Sequence, residues 1–532
     1  MKLLKYVIPT VIAILALSLS FYTEKFFRVG QPTQIFTYYS SKLIYFLFIF
    51  FGSKFLYHFG SFLIKKDLFY LKWGRNFIFH LVPLIVALIF AWPGIFVWDE
   101  FGTYDYASRF ILDNWQSYLT VYYYIINLYI FPSVGTIVLV NIVIFSLVSS
   151  WIITHLTISL SNIKLRWLLF LFTGIGFLSP AILFSLLMTY RSSMIASFEL
   201  LLCGLLYLLA RKKIQINLPK LILICLLTVI LSVWRKEGIY HLILVPLFLL
   251  VFFRHYLNRK TLVCFFIAVL GGYFILDVAY SHFTNQQNTT MDTMRYELTA
   301  YMNPLSNILA DKNASIDATA IVTFNKVIDV EKTKQLSYHY ESPSFWDGGV
   351  REKFTSSDLR AFKRAYWKTV WANKDIFVSA RLRTMLGASG FSIKGYYPSS
   401  SIYNYLSGIK SREGDFSRDT VLTQKLNYPI NLWLDSKIVS YLEFSKKHLI
   451  VFWNFTPLLL ILLVIFIRTF SFKNPLVWIN TIVLARIPVL FVLEPGSYFM
   501  YYYPMYLSGV YIIFIYLIEK ASYNVSRGVS HG

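Results

Sequence analysis

"SYLTVYYYIINLYIF", residues 117–131, is almost wholly apolar and aromatic. A helix of that length rises about 22 Å, short of the roughly 30 Å of hydrocarbon in a bilayer. Whether it crosses decides the sidedness of every later segment. Twelve other runs are long enough to span, near 6–22, 42–64, 77–97, 134–158, 166–188, 193–210, 219–234, 238–253, 261–281, 448–468, 475–494 and 500–518. Only 14% of the 532 residues are charged and 57% are hydrophobic, whereas a soluble domain is about 25% charged. The chain therefore reads as an all-α polytopic membrane protein with about 12 transmembrane helices.

Charge placement orients these spans. With a cytoplasmic N-terminus and a non-crossing 117–131, the segments 65–76, 159–165, 211–218, 254–260, 469–474 and the tail after 519 face the cytoplasm. Each carries Lys or Arg, as the positive-inside rule requires. A crossing 117–131 would put "NIKLR", "RKK" and "RHYLNRK" outside. We therefore read 117–131 as a re-entrant or interfacial helix that completes an external loop, 98–133, with both termini cytoplasmic. The net charge of +23 does not read as nucleic-acid binding, because the cations punctuate spans and form no single stripe. Cys203, Cys225 and Cys264 all lie in apolar runs and read as packing residues. Met1–Tyr22 has the charge and apolar run of a signal peptide but no small-x-small cleavage site, and reads as a retained first span.

The polar stretch 282–447 separates an N-terminal transmembrane region, 1–281, from a C-terminal one, 448–532, and by parity is extracytoplasmic. In "SDLRAFKRAYWKTVW", from Ser357, the residues Leu359, Phe362, Tyr366 and Val370 recur at helical spacing behind an N-cap signal. This domain is expected to be at least partly helical.

Four external junctions carry chemistry. Asp99 and Glu100 follow the third span, with Asp105 close behind. Neighbouring like charges raise one pKa of such a pair, which suits a general base or a cation ligand; two acids that merely mark a helix end are the alternative. Arg191 lies in "LLMTYRSSMIA", and Arg235, Lys236 and Glu237 lie in "LSVWRKEGIYH". These cations oppose the positive-inside bias. They suit an anion such as a lipid phosphate, since a guanidinium can hold two oxygens at once; snorkelling or pairing of Arg235 with Glu237 or Asp99 is the alternative. The last junction, "VLEPGSYFMYYYPMY", brings Glu494 among tyrosines that also fit an interface belt. Tyr396 and Tyr397 in "GYYPSSSIYNY" offer sugar-binding faces or ordinary loop packing. The P-loop, the G-x-S-x-G elbow and H-E-x-x-H are absent.

The segments "WPGIFVWDEF", "VWRKEGIY", "YELTAYMNPLSNIL" and "AYWKTVWANKDIFVSARL" resemble a group of poorly characterised bacterial membrane proteins with folds like the GT-C superfamily of polytopic glycosyltransferases. The acidic pair in "VWDEF" is similar to the acidic motif that those enzymes carry in their first external loop. Where the group often has a Lys-Asp pair, this chain has "YRSS": Arg191 keeps the charge and Ser192 lacks the acid. The resemblance implies a polyprenyl-phosphate-linked sugar as donor and an extracytoplasmic cell-envelope glycan or polymer as acceptor, at a bacterial plasma membrane. Asp99, beside Glu100, would be the base, and Arg191, Arg235 and Lys236 would hold the donor phosphate. Asp105, Glu494, Tyr396 and Tyr397 would contact acceptor or sugar. The resemblance leaves a divalent cation open, since it serves in some of these enzymes, and implies no other cofactor. A transporter or flippase of lipid-linked oligosaccharide, or a polysaccharide polymerase, is the other reading. Transporters carry inverted repeats and midplane charges; here no repeat is visible and the charges gather at span ends.

Overall fold

A computed structural model of the protein describes residues 4–27, 34–95, 98–112, 117–158, 160, 176–279, 290–337, 345, 348–391 and 430–528. Among them there is no β-strand, only two isolated bridges, and the protein is a multi-pass helical membrane protein. Among the described residues ten helices are long and apolar enough to cross a bilayer: Leu4–Thr23, Ile35–Ile64, Leu68–Phe90, Val134–Thr157, Arg191–Arg211, Lys236–Phe253, Arg259–Asp277, Leu449–Thr469, Pro475–Leu493 and Phe499–Ala521. The sequence count was twelve. Of the other two runs, 219–234 forms the apolar helix Leu218–Trp234, only 17 residues long. The run 166–188 falls partly outside the described residues and ends in helix Pro180–Leu187. The short segment 117–131 forms helix Tyr118–Ile130, whose 13 residues rise about 20 Å and do not cross alone.

Local chemistry moves one span. The third begins at Leu68, nine residues before the hydropathy edge at 77, because the Asp67 carboxylate accepts from the Phe69 and Tyr70 amides and caps the helix. Lys72 and Arg75 therefore sit on its first turns instead of in a loop. Its other end is set by "WPG". Gly94 has φ +113°, and a Cβ there would lie 2.5 Å from Val138 Cγ2 and 3.0 Å from the Leu187 carbonyl. The chain is thereby free to run close to Leu187, where the Ile95 amide donates to the Leu187 carbonyl at 3.0 Å.

Lipid tails are as apolar as leucine, so helices in a bilayer associate by close packing and interhelical hydrogen bonds. Both are present. Gly204 lets Ile152 approach to within 2.7 Å of where a Cβ would stand. Asn76 Nδ2 donates to Thr154 Oγ1 at 2.9 Å, Trp73 Nε1 to Ser150 Oγ at 3.1 Å, and Asn480 Nδ2 to the Leu462 carbonyl at 2.7 Å.

The polar stretch builds a second, separate core. Helices Thr299–Ala310, Ala318–Asn325, Val330–Gln335 and Ser356–Ala372 bury Leu298, Met302, Leu305, Phe324, Phe362 and Tyr366 against one another. Leu359, Phe362, Tyr366 and Val370 form the buried stripe that their spacing predicts. The helix starts at Ser356 and its N-cap is Thr355, in a capping box with Asp358. The bonds from Thr355 hold the Asp358 carboxyl below its usual range. This assembly sits on one face of the bundle, and we call it the cap.

One turn has no room for a side chain: a Cβ on Gly238 would stand 2.1 Å from the Leu231 carbonyl. Gly238→Ala should cost about 1–3 kcal/mol, the usual range for overpacking, and lower the thermal midpoint in detergent. Gly52→Ala, where nothing lies within 4 Å, should leave the midpoint unchanged or raise it, since alanine is the better helix former.

Candidate functional site: an arginine cluster beneath the cap

Four span ends converge under the cap. Helix Leu218–Trp234 delivers Arg235 from its C-terminus, and Arg235 is 3% exposed. Its Nη1 donates to Ser192 Oγ at 2.7 Å, its Nη2 lies 2.8 Å from Glu237 Oε1, and its guanidinium carbon is 4.5 Å from the centre of the Tyr501 ring. Its Nε has no acceptor among the described residues. Arg191 begins helix Arg191–Arg211 beside it, hydrogen-bonded to Tyr296 of the cap and in the fields of Glu237 and Tyr501. Arg235 itself feels the Arg191 and Arg486 charges.

Glu494 follows span Pro475–Leu493 and is buried. Tyr502 donates to its Oε2 at 2.6 Å, and the Tyr498 amide also donates to its carboxyl group. Burial raises its pKa to about 8, against the opposing pull of these bonds and of Arg381. Arg381, 1% exposed on helix Lys374–Ala388, donates to the carbonyls of Glu494, Ala300 (2.7 Å) and Val492 (2.8 Å). Those of Val492 and Glu494 belong to the C-terminal end of a span, where unpaired carbonyls and the helix dipole favour a cation.

Deeper lies a pair that the reading of span ends missed. Arg486 Nη2 and Glu199 Oε2 are 2.6 Å apart, and both residues are 0% exposed. Glu199 is eight residues into helix Arg191–Arg211, about 12 Å from its start. Charges therefore do not gather only at span ends. The helix of Arg486 is broken there, Pro475–Leu484 stopping at Ala485 and Arg486–Leu493 resuming. Arg486 Nε and Nη1 have no acceptor among the described residues, and the Tyr240 hydroxyl faces this arginine without aligning as a hydrogen bond. The signal was in the sequence: one arginine in "LARIPV" and one glutamate in "SFELLL" are complementary charges in two separate apolar runs.

The structure thus brings Arg191, Arg235, Glu237 and Glu494 into one cluster, with Arg235 paired to Glu237 as the alternative reading of that junction has it, and adds Glu199, Arg381 and Arg486. It leaves out Lys236, which is exposed, and Asp105, which is half-exposed and pairs with Arg109 in the turn just past the end of its helix. Asp99 and Glu100 open helix Trp98–Ser108. Glu100 is buried, while the Asp99 side chain lies outside the described residues, as do Tyr396 and Tyr397. The Ile95–Leu187 hydrogen bond ties the chain four residues before Asp99 to the chain four residues before Arg191. Among the described residues no three His, Cys, Asp or Glu side chains converge as a metal site.

Two measurements test this construction. Removing one partner of a buried ion pair strands the other and costs about 3–5 kcal/mol, whereas replacing both by apolar residues is often neutral. Glu199→Met and Arg486→Met should each lower stability sharply, and the double variant should recover much of the loss in thermal unfolding. Glu494 supplies the second measurement. With its pKa raised from 4.5 to about 8, the folded state binds the proton more tightly, so this group's contribution is full below pH 4.5 and is lost as pH rises through about 8. Glu494→Gln should flatten the fall in stability over that window; an unchanged slope would show that the carboxyl is ionised throughout.

Comparison with models of protein families, with curated proteins and with solved structures found no match.

Proposed function

We propose that the protein is a GT-C-type membrane glycosyltransferase that moves a sugar from a polyprenyl-phosphate carrier to an extracytoplasmic glycan or polymer of the cell envelope. In this reading the cap faces outward, both termini are cytoplasmic, and the membrane is the bacterial plasma membrane. One observation carries it: among the described residues beneath the cap, the guanidiniums of Arg191, Arg235, Arg381 and Arg486 outnumber the carboxyls of Glu199, Glu237 and Glu494, and an Asp99 that serves as the base offsets one of these charges. The imbalance is larger still when Glu494 is neutral. Positive charge held away from water calls for an anion, and arginine suits phosphate by its planar fork.

The chemistry is then base catalysis with stabilisation of the leaving group. Asp99 takes the proton of an acceptor hydroxyl as that oxygen bonds to the anomeric carbon. The bond from that carbon to the donor phosphate oxygen breaks, and the electron pair leaves with the lipid phosphate. Arg191 and Arg235 hold the released charge. The tie between Ile95 and Leu187 supports this pairing, because it brings the chain leading to Asp99 beside the chain leading to Arg191. Lys236, exposed, is not needed for the phosphate.

The Glu199–Arg486 pair inside the spans favours a second reading, transport of a lipid-linked oligosaccharide, since ionisable residues within spans mark substrate paths. Reconstitution separates the two. Asp99→Asn should abolish transfer from a polyprenyl-phosphate sugar while donor binding persists, and Glu100→Gln should lose less. Arg235→Lys keeps the charge but not the fork, and should weaken donor use with little change in melting temperature. Movement of the donor across vesicles without any glycosidic product would overturn the transferase reading in favour of transport.

A further inference from the structure

Below Arg191 and Arg235, side chains from four elements meet inside the spans. Glu199 comes from helix Arg191–Arg211, and Arg486 opens helix Arg486–Leu493. Tyr240 closes the turn Lys236–Tyr240, and His241 begins helix His241–Phe253. The turn lies against Arg486–Leu493, and helix His241–Phe253 against Pro475–Leu484. Glu199, Arg486 and His241 are 0% exposed and Tyr240 is 8% exposed. Tyr240 and His241 both stand in the fields of Glu199 and Arg486, so the four share one place.

Their bonds with one another leave much unused. Arg486 Nη2 and Glu199 Oε2 meet at 2.6 Å. Arg486 Nε and Nη1, Glu199 Oε1, the Tyr240 hydroxyl and His241 Nε2 have no hydrogen-bond partner among the described residues. The tautomer of His241 is set, because Nδ1 lies 2.8 Å from the Gly238 carbonyl, which can only accept. Nδ1 therefore carries the proton, and the neutral ring offers Nε2 as an acceptor. The set is thus two donor nitrogens, two acceptors and one hydroxyl that does both.

That mixture selects the ligand. A bare anion suits the Arg486 donors but opposes the Glu199 carboxylate and the lone pair of His241. A metal cation suits Glu199 but opposes the guanidinium. Water donates and accepts, carries no net charge and fits both halves. A buried water makes about three hydrogen bonds, so five such atoms call for about two molecules.

The backbone gives a second reason. The span that carries Arg486 breaks at Ala485, and Pro488 has no amide hydrogen to return to the Leu484 carbonyl four residues back. The turn facing it, Lys236–Tyr240, is a 3-10 helix that folds back on Leu231 through Gly238. Irregular backbone at membrane depth occurs where it is enclosed by protein or lines water.

We propose that Arg486, Glu199, Tyr240 and His241 hold a small cluster of ordered water inside the spans. The water completes the bonding of the buried pair, so neither ion strands a donor or a lone pair within the bilayer. The spare N–H groups of Arg486 then end on water, which leaves phosphate binding to the arginines above. The proposal holds whether those arginines serve transfer or transport.

The test uses the full chain in lipid nanodiscs and a short X-ray pulse that turns water into hydroxyl radicals. A radical reacts beside the water that made it, so a buried side chain is oxidised where water is bound. Mass spectrometry reads the oxidation rate of each tyrosine. Tyr511, 2% exposed with its hydroxyl bonded to Ser149 Oγ at 2.5 Å, is the dry reference, and Tyr256, 49% exposed, is the wet one. Tyr240 should be oxidised several-fold faster than Tyr511, although both are buried. A Tyr240 rate equal to that of Tyr511 would overturn the proposal. In the double variant Glu199→Met, Arg486→Met the Tyr240 rate should fall to that of Tyr511. A rate unchanged from the native chain would place the water elsewhere and defeat the proposal as well. If the variant aggregates on size-exclusion chromatography, Tyr240 against Tyr511 in the native chain decides alone.

Discussion

A charged side chain inside a bilayer protein must find its compensation within the protein. That constraint organises the upper part of this molecule. Arg486 is met by Glu199, Arg235 by Glu237 and Ser192, and Arg381 by three carbonyls. Except for Arg235 with Glu237, which share one turn, these compensations join segments far apart in the chain. The pair Glu199–Arg486 locks helix Arg191–Arg211 to a broken span, and the bonds of Arg235 join two span ends. Apolar packing tolerates sliding and rotation, whereas a buried ion pair has one geometry. The polar contacts therefore set the register that leucines leave open.

Arg381 extends this logic from the bundle to the cap. Its carbonyl partners come from Ala300, in the cap, and from Val492 and Glu494, at a span end. One side chain thus couples two hydrophobic cores that share almost no apolar contact; Phe491 is the bundle residue packed against the cap's core. Arg191 makes a second link through Tyr296. The cap is held over the arginine cluster by polar bonds, and hydrophobic burial within the cap stabilises the cap alone.

Much of this was legible from residue patterns, and the failures have physical causes. The stripe Leu359, Phe362, Tyr366, Val370 was readable because its period matches the helix and its apolar face is buried. That 117–131 is too short to cross alone followed from length. The start of the third span was misplaced because hydropathy averages over Lys72 and Arg75, while the boundary is set by a single capping carboxylate at Asp67. Positions at span ends, Arg191, Arg235 and Glu494, were found because the charge pattern marks them. Glu199 and Arg486 were missed because each is a lone charge in an apolar run and the two are 287 residues apart, and Arg381 because its partners are backbone carbonyls 81 to 113 residues away, which only tertiary structure brings near.

Among its described residues the cluster holds more guanidinium than carboxyl groups. A purely structural network would reach neutrality, since each uncompensated charge raises the cost of burial. Here one of the three described carboxyls, Glu494, is pushed by burial towards its protonated form, with a pKa of about 8. Carbonyl dipoles satisfy Arg381 but add no negative charge. Arg191 and Arg235 sit at the level where spans end. An anion arriving laterally at that depth gains both Coulomb attraction and the unused donors of Arg235 Nε and Arg486 Nε and Nη1. Those donors lie at two depths, the first near the span end and the others about 10 Å below it. In the proposed reading the shallower set, Arg235 and Arg191, is the one that would meet a phosphate confined to the headgroup layer, while Arg486 with Glu199 fixes the helices beneath them.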